Sequence, residues 1–98
     1  MKMKQLTILS SDELTRRIIF ALRDEGVEGY IHIPEASANK FTEDDPVSPF
    51  VSWAASVIIV PAPEEVADRV VARIKGYAGQ CKEEPCLKIL VADLEEMI

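Results

Sequence analysis

Apolar positions alternate with polar ones in some stretches of the chain and recur every three or four residues in others. Residues 4–10 (KQLTILS) are a short β-favouring run and predict a first strand. Ser10 and Glu13 stand at capping-box spacing, so a helix is expected to begin there. Leu14, Ile18, Ala21 and Leu22 form its apolar stripe, Asp12, Arg16, Arg23 and Asp24 lie off it, and Gly26 ends it. Residues 29–35 (GYIHIPE) predict a second strand. Residues 36–50 (ASANKFTEDDPVSPF) hold turn formers, two prolines and three acids, and predict the one long loop. Residues 50–60 (FVSWAASVIIV) carry the strongest strand signal.

The second half repeats the order. Pro63 suits a first helical position, and Glu64 and Glu65 suit the positive end of a helix dipole. Val66, Val70, Ile74 and Tyr77 make the stripe, with Ala67 and Val71 beside it, and Gly76 and Gly79 stop the helix. Arg69 stands one turn from both Glu65 and Arg73, one attractive and one repulsive pair, which predicts a solvated face. After a loop through Cys81 and Cys86, residues 87–93 predict a last strand. The expected fold is α+β: a ferredoxin-like βαββαβ two-layer sandwich, one domain over residues 1–98, with two helices on one face of a four-stranded antiparallel sheet.

Strand alternation then sorts the sheet into two faces. Leu6, Ile8, Ile31, Ile33, Val51, Trp53, Ala55, Val57, Ile59, Leu87, Ile89 and Val91 are expected beneath the helices. Thr7, Leu9, Tyr30, His32, Ser52, Ala54, Ser56, Ile58, Lys88, Leu90 and Ala92 are expected on the open face. That second face is too apolar for free solvent, and it predicts a homo-oligomer. Phe20 points away from its helix's stripe and adds another exposed contact.

Composition narrows the partners. Of 98 residues 48% are hydrophobic and 29% charged, enough for a core and inconsistent with disorder. Seventeen acids against eleven basic side chains give a net charge of −6, which argues against nucleic-acid binding. No apolar run has the length of a membrane helix and no signal-peptide pattern opens the chain, so a cytoplasmic protein with reduced thiols is expected.

Met3-Lys4-Gln5-Leu6 leading into a strand, Asp12-Glu13-Leu14 opening a helix and Gly26-Val27-Glu28-Gly29-Tyr30 entering the second strand resemble the PII-like superfamily of small signalling proteins. Val57-Ile58-Ile59-Val60-Pro61, Leu87-Lys88-Ile89-Leu90-Val91 and the closing Asp93-Leu94-Glu95-Glu96 extend that resemblance over essentially the whole chain. Trp53-Ala54-Ala55 also looks like the third strand of CutA proteins, a related trimeric branch implicated in divalent-metal tolerance. The resemblance implies a homotrimer that binds a nucleotide or other small anionic effector in a cleft between subunits. It implies that residues 36–50 and 76–86 border the cleft, and that the first segment relays the bound state to a protein partner.

The groups expected to meet such an effector are Lys82 and Lys88, with Gly79 offering accessible backbone and Lys40 reaching from the other segment. Cys81 and Cys86 can approach across the intervening Lys-Glu-Glu-Pro turn. They read either as packed loop and strand residues, as a reversible disulfide, or as part of a metal site. His32 reads as a packed interface histidine, and Glu43, Asp44 and Asp45 as a solvated loop without a calcium-loop pattern. Ser10 and Ser11 read as helix caps with no histidine in register, and no glycine-rich phosphate loop is present. The expectation is a binding protein rather than an enzyme, with no cofactor or resident metal. Two other readings are a CutA-like divalent-metal-binding trimer and a structural oligomeric subunit that takes no ligand.

Overall fold

The computed structural model describes residues 2–40, 51–78 and 87–95, with side chains for all of these but 37–40 and 51–54. The elements run β1 (Met3–Ser11), α1 (Asp12–Asp24), β2 (Ile31–Lys40), β3 (Val51–Pro63), α2 (Glu64–Lys75) and β4 (Leu87–Leu94). The strands form one antiparallel sheet in the order β2-β3-β1-β4, which is the ferredoxin-like α+β arrangement expected. The two central strands are the first of each half, and β2 and β4 are its edges.

Both helical stripes are buried as the periodicity predicts. Leu14, Ile18, Ala21 and Leu22 of α1 and Ala67, Val70 and Ile74 of α2 pack on Leu6, Ile8, Ile58, Val60 and Ala62 of the sheet. Each fully buried Leu or Ile contributes about 1.5–3 kcal/mol relative to exposure. The end of α1 is a Schellman turn: Val27 N–H donates to Leu22 C=O and Gly26 N–H to Arg23 C=O, at 3.0 and 3.1 Å. Gly26 sits at φ +89°, the left-handed region that a side chain resists.

Three local expectations are corrected. First, the N-cap of α1 is Ser11. Ser10 is instead wholly buried in β1, 2.9 Å from the Thr15 hydroxyl. Second, residues 36–40 are strand: β2 continues past a bulge between Ile33 and Ala36 and pairs Lys40 with Val51, so the connection begins at residue 41. The bulge takes up one extra residue, and the pairing that resumes after it satisfies backbone groups that a loop would leave to water. Third, Arg69 and Arg73 are not merely solvated. Arg69 Nε lies 3.4 Å from Glu25, and Arg73 reaches Glu25 and Asp24 at 3.2 Å each, clamping α2 to the end of α1. Hydrogen bonds to Tyr77, Glu25 and Asp24 hold the Arg73 guanidinium above its already high ordinary pKa.

The largest correction concerns the faces. β1 pairs Leu6 with Val60 and Ile8 with Ile58, so Ile58 and Val60 lie beneath the helices and are fully buried. Val57 and Ile59 therefore belong to the open face, reversing the expected phase. The reversal carries into β2, where His32 lies opposite Ile58 on the helix side, while Ile31 and Ile33 stand on the open side opposite Ile59 and Val57. On β4 Leu87 and Ile89 pack against the core and Lys88 and Leu90 face the other way, as expected, but Val91, expected beneath the helices, is 50% exposed.

Candidate functional site

The corrected register gives the open face two continuous rows. One runs Lys88, Leu9, Val57, Ile33 from β4 to β2, and the next runs Leu90, Thr7, Ile59, Ile31. Ile31 is 57% exposed, Leu90 49% and Ile33 44%, far more than large aliphatic side chains retain in a core. The face is more apolar than alternation alone predicts, because four isoleucines and valines replace Tyr30, His32, Ser56 and Ile58 there. Lys88 is exposed at the β4 end of its row, a cation beside this apolar strip.

Lys40 ends the other edge strand. β1 stops at Ser11, opposite Ala55, so among the described residues Ser37–Lys40 and Val51–Ala54 pair only with each other and project as a two-stranded arm. At about 3.4 Å per residue and 4.8 Å per strand, Lys40 and Lys88 stand on the order of 25 Å apart in one chain. One subunit therefore does not bring Lys40 and Lys88 together. Gly79, Lys82, Cys81 and Cys86 lie outside the described residues, as do Glu43, Asp44 and Asp45.

A second concavity, which the sequence reading missed, lies on the helix side between α1 and β2. It is an open pocket of about 660 Å³, lined by Asp12, Thr15, Arg16, Ile19 and Phe20 from the helix, His32, Pro34 and Glu35 from β2, and Ser56 from β3. The edge strand extends beyond the cover of the helices, which is why a histidine is tolerated on the face that elsewhere is core. Asp12 and Arg16 were visible in the sequence as charges off the α1 stripe. Their meeting with His32 depends on the strand phase.

Within this pocket Ser56 is buried, its hydroxyl 3.5 Å from both Asp12 Oδ1 and the Pro34 carbonyl oxygen. Arg16 stacks over the Phe20 ring at 5.6 Å, and Arg23 flanks the same ring at 5.0 Å. Among the described residues no group of three or more His, Cys, Asp or Glu side chains is placed to hold a metal ion, and no helix is long and apolar enough to cross a membrane.

Known structures share this backbone closely. CPII from Thiomonas intermedia K12, a nitrogen regulatory PII-like protein bound to ADP, AMP and bicarbonate, superposes with a TM-score of 0.71 at 19% identity. The match covers 96% of this chain and 93% of that one. The fold is that of the PII-like proteins. The GlnK–ATP complex of B. subtilis matches with a TM-score of 0.75 at 15% identity, over 96% of this chain and 84% of that one. Divalent ion tolerance protein CutA1 from Ehrlichia chaffeensis matches at 0.71 and 14% identity, over 100% of this chain and 87% of that one. No family model matches the sequence, and no curated protein matches it. The likeness is therefore one of PII-like architecture, carried by backbone rather than by sequence.

Proposed function

We propose that this protein is a non-catalytic PII-like sensor that acts as a cytoplasmic homotrimer. It binds a small anionic effector, an adenine nucleotide being the first candidate, in a cleft between subunits. The observation that carries this reading is the open sheet face, where Ile31, Ile33 and Leu90 remain about half exposed around Leu9, Val57 and Ile59. Covering such a surface with copies of the same chain removes it from water. Lys88 at the rim of that strip would then face a neighbouring subunit, where it and Lys40, Gly79 and Lys82 contribute to one anion site.

The projecting arm of β2 and β3 supports a relay role for the 36–50 segment. The β2–β3 ladder reaches Lys40 and Val51, past the last pairing of β1 at Ser11 and Ala55. An effector that favours one arrangement of that segment shifts its population and so alters what a protein partner meets. The nucleotides bound by CPII and GlnK in their solved structures make adenine nucleotides the first ligands to try.

Sedimentation equilibrium followed by calorimetry with ATP, ADP and AMP tests the reading. A trimer mass with saturable nucleotide heat supports it; a monomer at micromolar concentration removes the cleft and the proposal with it. A trimer stabilised by Cu²⁺ or Zn²⁺ and indifferent to nucleotides would favour the CutA-like alternative, and a trimer indifferent to both a structural subunit.

A further inference from the structure

The pocket between α1 and β2 is separate from the proposed cleft: it opens on the helix side of the sheet, whereas Lys88 is on the other. Its charges are arranged in an unusual way. Asp12 and Arg16 stand one helical turn apart, the spacing at which opposite charges ordinarily pair, yet no ion pair joins them. Arg16 instead lies over Phe20 and lines the pocket. By contrast Lys4, Arg23, Arg69 and Arg73 all have carboxylate partners. On the opposite wall the Glu35 and His32 side chains have no hydrogen bond or ion pair among the described residues.

The pocket therefore offers a forked cation, two carboxylates and an apolar wall within one small concavity. Arg16 against Asp12 and Glu35 leaves a formal charge of −1. A phosphate or a simple carboxylic acid would meet two carboxylates for one arginine. A molecule carrying both an ammonium and a carboxylate meets a partner for each. The volume lies within the range of small-molecule sites, and Phe20 and Ile19 give an aliphatic or aromatic body a surface to cover.

We propose that this pocket binds a free α-amino acid with an apolar side chain. Its carboxylate pairs with Arg16, its ammonium group with Asp12 and Glu35, and its side chain lies along Phe20. Arg16 presents a planar pair of donors suited to a carboxylate. Ser56 steadies Asp12 from below.

The test is a titration of the ¹⁵N-labelled protein with L-leucine, L-methionine and L-phenylalanine, followed by amide chemical shifts. Saturable shifts confined to α1 and β2 are expected for at least one, with a dissociation constant of about 1 mM or tighter. N-acetyl-L-leucine and L-leucinamide, each lacking one charge, should bind at least tenfold more weakly. R16Q and D12N should each weaken binding about tenfold, while K88A, which belongs to the nucleotide proposal, should leave it unchanged. No saturable shift from any of the three by about 20 mM overturns the proposal. So does equal binding of the N-acetylated compound, or shifts that map to β4 and the open face. Because the readout is independent of nucleotides and of trimer mass, this proposal and that of the sensor cleft can fail separately.

Discussion

Ile33 and Val57 lie directly opposite each other in the β2–β3 ladder, on the face of the sheet that the helices leave uncovered. Ile33 retains 44% of its surface, although a cross-strand aliphatic pair is normally a core feature. Replacing Ile33 or Leu90 by Asp should convert the proposed trimer to monomers without unfolding the chain, because neither side chain is part of the buried core. Sedimentation velocity reads the mass, and an unchanged far-ultraviolet circular dichroism spectrum shows that the fold persists. A trimer that survives both substitutions places the subunit contact elsewhere.

Lys88 is the one proposed effector contact whose side chain is described. A charge-assisted hydrogen bond contributes about 1.5–3 kcal/mol, so K88A should weaken adenine-nucleotide binding about tenfold or more. The side chain is exposed, so the melting temperature without ligand should hardly move. Calorimetry beside a thermal scan separates the two effects.

Thr15 donates to the Ser11 carbonyl at 3.1 Å, so its oxygen is left to accept from Ser10 at 2.9 Å. The pair joins the end of β1 to the first turn of α1 inside the protein. T15V keeps the shape but strands the buried Ser10 hydroxyl. It should cost about 1–3 kcal/mol in urea unfolding. The double variant S10A/T15V should recover part of that loss, since no buried polar group is then left alone.

Ile58 is fully buried between β1 and the helices, whereas its neighbour Ile59 is on the open face. I58A should therefore destabilise the subunit by about 2–5 kcal/mol. I59A should act mainly on association, lowering stability in a way that depends on protein concentration. If the two cost the same in a dissociated background such as I33D, the assignment of faces is wrong.

At Gly26 a methyl group would meet no neighbour within 4 Å, so space is not the constraint there. The positive φ is. G26A should cost about 1 kcal/mol through backbone strain at the end of α1, measured by the same unfolding titration.

The sequence by itself determined the element order and the buried side of each helix. A 3.6-residue period with charged flanks leaves a helix only one way to turn, so Leu14, Ile18 and Leu22, or Val70 and Ile74, could point nowhere else. The stop at Gly26 was legible for the same local reason. The phase of β3 was not. Val57-Ile58-Ile59-Val60 is apolar at every position, and a two-residue period cannot choose a face when both sets qualify. Only pairing with β1, which sets Leu6 against Val60, decided it, and β2 followed through its own ladder. That single choice put His32 beside Asp12 and Arg16 and sent Ile31 and Ile33 to the uncovered side. Local periodicity holds information about one element at a time; which residues share a pocket or an exposed face depends on register between strands distant in sequence, and that is settled by tertiary packing.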